Sequence, residues 1–277
     1  MSRQNIMQLS RLQNEYALTG PNGSFIESAE DALNEDIIRA KMLRIYAAQN
    51  DVAEAKDLAK RMGSTVTPCS LASARYMHDV RQIVVPHLWQ LVDQHDPEVR
   101  AFTLCSRKWE FPAADLKLVD PLALVSGLRA DLYRQGARDL NGFLFANQDA
   151  EFNSATLKWR FHWHGIGSGT LIEAIEGLRG SPKYSRPKDI RISRSPLTHL
   201  PSPITYLIKP FWGSRWQGLI DGHMRRQKWR SRVPEPWHSQ LLMWLDRWRP
   251  ADCALLQGMA VKSGGLVMSS KNKEWES

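Results

Sequence analysis

The stretch "GFLFANQDAEFNSATLKWRFHWHGIG", residues 142–167, predicts two β-strands joined by a short polar connection. Both runs are rich in aromatic residues, as strands commonly are. The polar "NSAT" between them, residues 153–156, suits a hairpin turn. The two runs are therefore predicted to pair as antiparallel neighbours, and this pair anchors the fold prediction.

The second run places two histidines one residue apart. Residues two apart in a strand lie about 6.6 Å from each other on one face, so His162 and His164 point the same way while Trp163 points to the core. Two imidazoles at this spacing can bind one divalent ion if a neighbouring strand supplies a third ligand. The alternative is a pair of surface histidines without a ligand.

The preceding strand offers several candidates for that third ligand. Symmetric pairing about "NSAT" places Asn147 or Gln148 nearest to the first histidine, with Asp149 and Glu151 closer to the turn. Hairpin geometry alone therefore ranks Gln148 first and leaves the two carboxylates open.

The rest of the middle of the chain predicts an α+β fold. "EVRAFTLCSRKWEF", residues 98–111, is typical of a strand. A helix is predicted to begin at Asp120-Pro121, and a second over residues 170–180. The order strand, helix, strand, strand, helix predicts an antiparallel sheet flanked by helices. The sequence contains no GxGxxG and no Walker-type loop, which argues against the common nucleotide-binding folds.

Three segments are predicted along the chain. Residues 1–95 form a helical N-terminal extension, residues 96–215 contain the sheet, and residues 216–277 form a basic and helical C-terminal segment.

Within the two outer segments, individual helices are predicted. One helix covers residues 28–62, and Pro86 is placed at the start of another, where proline fits. "PEPWHSQLLMWLDRW", residues 234–248, and "PADCALLQG", residues 250–258, predict two C-terminal helices.

The charge of the chain is unevenly distributed. The net charge is +8, and residues 183–232 contain twelve basic residues against two acidic ones. Because aromatic residues are interleaved with these cations, the segment suits a nucleic acid. A solvated basic face without a partner is the alternative. The residues predicted to bind nucleic acid are Arg186, Lys188, Arg191, Arg194, Arg215, Arg225 and Arg226.

Other properties limit the location of the protein. No run approaches the ~18 apolar residues of a membrane helix, and the N-terminus lacks the apolar core of a signal peptide. Cys69, Cys105 and Cys253 form no CxxC pair. Reduced thiols, a cytoplasmic location and no membrane partner are expected, and the oligomeric state is left open.

A tyrosine and a lysine follow within the basic segment. Ser202 and Pro203 can start a short helix that Pro210 must end, and Tyr206 and Lys209 share one face of it. A lysine beside a tyrosine can stabilise a phenolate and bind phosphate. The more common interpretation of this pair is a buried ring with an exposed amine.

Three motifs together resemble a known family. Residues 102–104 ("FTL"), 162–164 ("HWH") and 206–209 ("YLIK") match, in order and rough spacing, the motifs of HUH endonucleases. Within that superfamily, residues 98–212 look most like rolling-circle replication initiator (Rep) proteins of plasmids and single-stranded phages.

The resemblance implies a site and a chemistry. His162 and His164 would bind Mg²⁺ or Mn²⁺ together with Glu151, the third ligand that the resemblance ranks first. Tyr206 would be the nucleophile and Lys209 an electrostatic helper. Tyr184, in a basic loop, is the rival nucleophile.

The implied activity is sequence-specific nicking and joining of single-stranded DNA at a replication origin, through a phosphotyrosine intermediate that initiates rolling-circle replication. A transposase or relaxase with the same chemistry and a noncatalytic nucleic-acid-binding protein are the alternatives. A metal-dependent hydrolase unrelated to DNA is disfavoured because carboxylates are scarce in the basic segment.

Overall fold

The computed structural model of the protein describes residues 6–12, 18–20, 23–24, 26–95, 98–209 and 212–269. The α-helices are α1 (Ala29–Asn50), α2 (Ala53–Met62), α3 (Ala74–His95), α4 (Pro121–Arg134), α5 (Leu171–Gly177), α6 (Ser202–Thr205) and α7 (Trp237–Asp246). Short 3₁₀ turns cover Ile6–Gln8, Ala113–Leu118, Leu178–Gly180, Pro182–Tyr184 and Pro250–Asp252.

The strands are β1 (Thr19–Gly20), β2 (Gly23–Ser24), β3 (Arg100–Pro112), β4 (Leu144–Asn153), β5 (Lys158–Gly167), β6 (Ile190–Ile192), β7 (Ser214–Arg215), β8 (Gln217–Ile220), β9 (His223–Arg226), β10 (Ala254–Gln257), β11 (Met259–Lys262) and β12 (Gly265–Met268).

A six-stranded sheet forms the centre of the fold. Its strand order is β10–β4–β5–β3–β6, and β7 adds a two-residue parallel pairing to β4. The other pairings in this sheet are antiparallel. The predicted α+β class with an antiparallel sheet and helices is confirmed. Among the described helices, none has the length and apolar character needed to cross a membrane.

The predicted hairpin forms, but its register differs from the one expected. The turn covers residues 154–157 rather than 153–156, because Leu157 takes a left-handed conformation with φ of 50°. Moving the turn by one residue shifts the pairing by two, so Asp149 lies opposite His162 and Asn147 lies opposite His164. A shift of two keeps every side chain on its original face.

One face of β5 is part of an aromatic core. Trp159, Phe161 and Trp163 are buried, whereas His162 and His164 lie on the opposite face with side chains that are 13% and 12% exposed. The Phe161 ring packs edge-on against Trp212 and Trp244, with centroid distances of 5.6 and 5.7 Å. Helix α7 thus covers the aromatic face of the sheet and leaves the histidine face for other segments.

The predicted helix over residues 28–62 is two helices. The chain turns between α1 and α2 at Asp51, which has φ of 51° and ψ of 48°. The placement of Pro86 at a helix start is wrong, because Pro86 lies inside α3.

The C-terminal segment is less helical than predicted. Helix α7 confirms the first predicted helix, but the helix over residues 250–258 is wrong. That stretch forms a 3₁₀ turn followed by β10, which pairs with β4 and so belongs to the central sheet. Residues 254–256 are apolar and buried, and a short buried strand shows the same continuous apolar run as a buried segment of helix. The boundaries at residues 95 and 215 remain predictions.

Ion pairs join the N-terminal helices to the C-terminal segment. Arg61 on α2 makes two bonds of 3.1 and 2.6 Å to the Asp246 carboxylate at the end of α7. Glu35 on α1 accepts bonds of 2.7 and 2.6 Å from Arg232. Paired geometry of this kind orients the two segments as well as attracting them.

Close packing requires a glycine after the second histidine. A Cβ at Gly165 would overlap the Phe102 ring and lie 2.6 Å from the Phe145 carbonyl oxygen. The ring of Phe102, on β3, therefore fills the space that a side chain on β5 would need.

We expect Gly165→Ala to lower the free energy of unfolding by about 1–3 kcal/mol, because the added methyl group overpacks the sheet. Urea unfolding followed by circular dichroism measures this loss. Gly180→Ala is the matched control, since a Cβ at Gly180 would meet no neighbouring atom within 4 Å. Equal stability of the two variants would contradict the packing argument.

The Glu35–Arg232 pair predicts a pH dependence of stability. Burial alone would raise the pKa of Glu35, but hydrogen bonds from Arg232 and the charge of Arg39 lower it from 4.5 to about 2. The unfolded chain therefore takes up the proton first as the pH falls. The stabilisation is complete above the unfolded pKa of 4.5 and is lost as the pH falls towards 2.

We expect Glu35→Gln to lower the free energy of unfolding at neutral pH, with a smaller difference from the unmodified protein at about pH 3.5. Urea titrations at both pH values test this expectation. Glu54→Gln is the control, because both side chains of the Glu54–Arg247 pair, 3.3 Å apart, are nearly half exposed and solvent screens their attraction. A difference that does not shrink on acidification counts against the ion pair.

Candidate metal site

Three side chains on two neighbouring strands converge on the histidine face. The Nε2 atoms of His162 and His164 lie 3.1 and 3.5 Å from Oδ2 of Asp149. Strand β5 carries the histidines, and β4 carries Asp149 directly opposite His162. Within the described ranges, these three form the one group of at least three histidine, cysteine or acidic residues close enough to hold a metal ion.

Neighbouring groups orient the two imidazoles. Nδ1 of His162 lies 3.1 Å from the Arg160 carbonyl oxygen, and Nδ1 of His164 lies 3.1 Å from Oγ1 of Thr103. Nδ1 of His162 faces the Arg160 carbonyl oxygen and Nε2 faces the Asp149 carboxylate, and both oxygens accept hydrogen bonds, so a neutral ring can donate to only one of them. A cation between Nε2 and the carboxylate would bind the lone pair of Nε2 while Nδ1 donates to the carbonyl.

Two polar atoms of the cluster have no hydrogen-bond partner within the described structure. Both Oδ1 of Asp149 and Nε2 of His164 are buried and unsatisfied. An unpaired buried polar atom is costly, and a bound ion or water commonly relieves that cost. The residues present therefore fit a divalent ion.

The protonation states also suit metal binding. Burial, with the nearby charges of Lys209 and His162, lowers the pKa of His164 to about 4. Burial alone would raise the pKa of Asp149, but His162, His164 and Lys209 hold it well below its usual value. Near neutral pH the site thus offers a carboxylate and a neutral imidazole, the forms that bind metals.

The structure places the other candidate ligands elsewhere. The carboxylate of Glu151 lies 3.2 Å from Nε of Arg215 and 3.7 Å from Nε of Arg230, and Glu151 is not part of the three-residue cluster. Gln148 points to the opposite face, where its Nε2 donates to the Pro121 carbonyl at 2.9 Å. The third group beside the histidines is Asp149.

Tyr206 and Lys209 both reach the cluster. The Tyr206 ring, half exposed, packs edge-on against His164 with centroids 4.9 Å apart. The Lys209 ammonium contacts the Asp149 carboxylate and lies 4.1 Å from the Tyr206 ring centroid. Nδ2 of Asn147 donates to the Leu207 carbonyl at 3.2 Å, which ties the segment to β4. Helix α6 ends before Tyr206, so a turn, not the predicted helix, brings the pair together.

The histidines open onto a cavity of about 230 Å³. Tyr206 and Glu151 also line it, and so do five arginines. The arginines are Arg160, Arg186, Arg191, Arg215 and Arg230. An open, arginine-rich cavity beside a tyrosine suits an anionic ligand such as a phosphodiester.

The predicted nucleic-acid-binding residues divide into two groups. Arg186, Arg191 and Arg215 line the cavity, whereas Lys188, Arg194 and Arg225 are exposed and do not. The side chain of Arg226 lies outside the described part of the structure. Sequence reasoning missed Arg230, which contacts Asp149 at 3.3 Å. Its position between a tryptophan and a serine in a basic run gave no signal that separated it from its neighbours.

The rival tyrosine is enclosed. Tyr184 is buried, and its hydroxyl donates to Asp131 at 2.8 Å. Burial and the Asp131 carboxylate raise the pKa of this phenol above its usual value. Among the tyrosines of the described residues, Tyr206 is the one that lines the cavity.

The chain matches no protein-family model, no curated protein and no solved structure. The interpretation of the site therefore depends on its own geometry.

We expect the protein to bind Mn²⁺, and we expect Asp149→Asn and His164→Ala each to weaken binding by at least about 10-fold, because the first removes the negative charge of the carboxylate and the second removes an imidazole nitrogen. Isothermal titration calorimetry measures the affinity. Glu151→Gln tests whether Glu151, the other carboxylate on β4, is a ligand. This variant should bind Mn²⁺ like the unmodified protein. His199→Ala, at an exposed histidine outside the cluster, controls for nonspecific binding. A loss of affinity in Glu151→Gln but not in Asp149→Asn would reassign the third ligand.

Proposed function

We propose that this protein is a metal-dependent nicking and joining enzyme of the HUH endonuclease type, which acts on single-stranded DNA and initiates rolling-circle replication. One observation carries the proposal: the Tyr206 ring lies 4.9 Å from the His164 ring inside an arginine-lined cavity. A nucleophile, candidate metal ligands and phosphate-binding cations thus share one site. The position of β5 in the middle of an antiparallel sheet also supports an HUH-like fold.

The reaction follows from the residues in the cavity. The phenol oxygen of Tyr206 attacks the phosphorus of a phosphodiester and loses its proton to solvent. A bond forms between that oxygen and phosphorus, and the bond from phosphorus to the 3′ oxygen breaks. The 3′ oxygen takes up a proton and leaves as a 3′-OH, while the 5′-phosphate stays on Tyr206. The reverse attack rejoins the strand, so no nucleotide cofactor is needed.

Charged groups around the tyrosine support this chemistry. A divalent cation held by Asp149, His162 and His164 would polarise the scissile phosphate when bound. The Lys209 ammonium, 4.1 Å from the Tyr206 ring centroid, can stabilise the negative charge that develops on the attacking oxygen. Of the two ions that the resemblance implies, two imidazole ligands favour Mn²⁺ over Mg²⁺, which prefers oxygen.

The biological setting forms part of the proposal. The partner would be single-stranded DNA at a plasmid or phage replication origin, with a transposase or relaxase role as a variant of the same chemistry. The described structure contains three free cysteines, Cys69, Cys105 and Cys253, which supports a reducing, cytoplasmic location.

A noncatalytic nucleic-acid-binding protein is the second candidate. The observation in its favour is that Lys209 and Arg230 already contact Asp149 and match its charge. Such a protein would keep the basic cavity for binding and would not need the Tyr206 hydroxyl.

We expect a covalent adduct between the protein and single-stranded DNA in the presence of Mn²⁺. The probe is a random-sequence oligonucleotide pool labelled at either end, which avoids any assumption about the origin sequence. Because the 5′-phosphate stays on the tyrosine, 3′-labelled DNA should remain with the protein in a denaturing gel. The 5′-labelled product should be released with a 3′-OH that a polymerase can extend.

Single substitutions test the assignment of the nucleophile. Tyr206→Phe should abolish the adduct, and Tyr184→Phe should retain it, with thermal unfolding used to confirm that both variants fold. Asp149→Asn should reduce the adduct with Mn²⁺ present. An adduct that survives Tyr206→Phe rules out this nucleophile. DNA binding by the unmodified protein without any adduct would favour the noncatalytic candidate.

A further inference from the structure

A β-hairpin extends from the edge of the cavity, and we name residues 215–232 the arm. Strands β8 and β9 pair only with each other among the described strands. Asp221 and Gly222 join them, with φ of 52° and 73°, the conformation of a tight hairpin turn. At the base, Ser214 and Ser231 exchange backbone hydrogen bonds of 2.8 and 2.9 Å. The base of the arm is therefore fixed to the sheet through β7.

The arm exposes large apolar side chains. Leu219 is 68% exposed, Ile220 46% and Trp229 72%. Isolated two-stranded hairpins are marginally stable in water, and three large apolar side chains left exposed on one hairpin indicate a binding surface.

The charge of the arm indicates which kind of partner it binds. The sequence from 215 to 232 contains six basic residues and one acidic residue. Arg225 and Lys228 are exposed, and the Lys228 ammonium lies 5.0 Å from the Trp229 ring centroid. Exposed cations beside an exposed indole complement a polyanion with stackable bases better than they complement an apolar protein surface.

The base of the arm is continuous with the candidate active site. Arg215 and Arg230 line the cavity, and both face the Glu151 carboxylate, at 3.2 and 3.7 Å. Arg230 also contacts Asp149 at 3.3 Å, and Trp229 precedes it in the chain. The exposed ring of Trp229 is thus one residue away in the chain from an arginine that lines the cavity.

We propose that the arm binds the single-stranded DNA next to the cleavage position. Arg215 and Arg230 contact a phosphate at the cavity edge, Trp229 stacks on an unpaired base, and Arg225 and Lys228 contact phosphates farther out. This inference rests on the proposed function, which makes the cavity the position of DNA cleavage, but binding of DNA by the arm can be measured without cleavage. An unpaired base is required because a stacked duplex does not offer its faces to an indole.

The test measures the affinity for a labelled 25-nucleotide oligo(dT) by fluorescence anisotropy, in EDTA so that no metal-dependent step occurs. Trp229→Ala should weaken binding by about 5-fold or more, since the loss of one base stack lowers affinity by that order. Arg225→Ala combined with Lys228→Ala should reduce the slope of log affinity against log salt by about 1.4, which corresponds to two phosphate contacts on a single strand.

Matched controls remove similar groups elsewhere. Val66→Ser removes an apolar side chain that is 73% exposed, and Lys56→Ala with Lys60→Ala removes two exposed cations from α2. Both controls should bind oligo(dT) like the unmodified protein. Thermal unfolding should be unchanged in all variants, because every substituted side chain is exposed.

Several outcomes overturn the proposal. These are unchanged affinity and salt slope in the arm variants, or tighter binding of a 25-base-pair duplex that is lost in the same variants. If the protein self-associates, and Leu219→Ser with Ile220→Ser abolishes the self-association but leaves DNA binding intact, the arm binds a second copy of the chain instead.

If the arm variants lose DNA affinity while the unmodified protein forms no adduct, the arm proposal stands and the proposed function fails. If Tyr206-dependent adducts form and the arm variants bind normally, only the arm proposal fails.

Discussion

The burial of one carboxylate organises the histidine face of this protein. Asp149 is 2% exposed, and a charge so far from water must be matched by nearby positive or hydrogen-bonding groups. The groups that do so come from three parts of the chain: the histidines of β5, Lys209 after α6, and Arg230 at the base of the arm. The carboxylate thereby fixes the relative positions of the strand pair, the tyrosine segment and the arm.

Much of the sheet could be predicted from sequence because the strand-forming runs are long and bounded by clear turn signals. The third residue of the cluster was harder to predict, since it depends on where a four-residue turn begins. The left-handed conformation of Leu157 moved the turn by one residue and brought Asp149 opposite His162. Side chains alternate between the two faces along β4, so Gln148 faces away from the histidines both in the expected register and in the observed one, which differs by two residues. This alternation excludes Gln148 as a ligand in either case.

Other differences have long-range causes. Pro86 is tolerated inside α3, and residues 254–257 form a strand because β4 offers them an edge. Neither outcome can be read from local propensity, which tertiary pairing overrides. The role of Arg230 was missed for the same reason, because only the folded arm returns it to β4. The pairing of Tyr206 with Lys209 was predicted from spacing, although a turn and not a helix produces it.

The pairing of β10 with β4 has a consequence for synthesis of the protein. Strand β4 carries Asp149, yet one of its edges is completed by residues 254–257, more than a hundred positions later in the chain. During translation the emerging sheet keeps that edge unpaired until residues 254–257 have left the ribosome. Unpaired edges recruit other strands, so chaperone protection of this edge would matter most at that stage. The strand that carries Asp149 is therefore paired on both edges only after residues 254–257 have been synthesised.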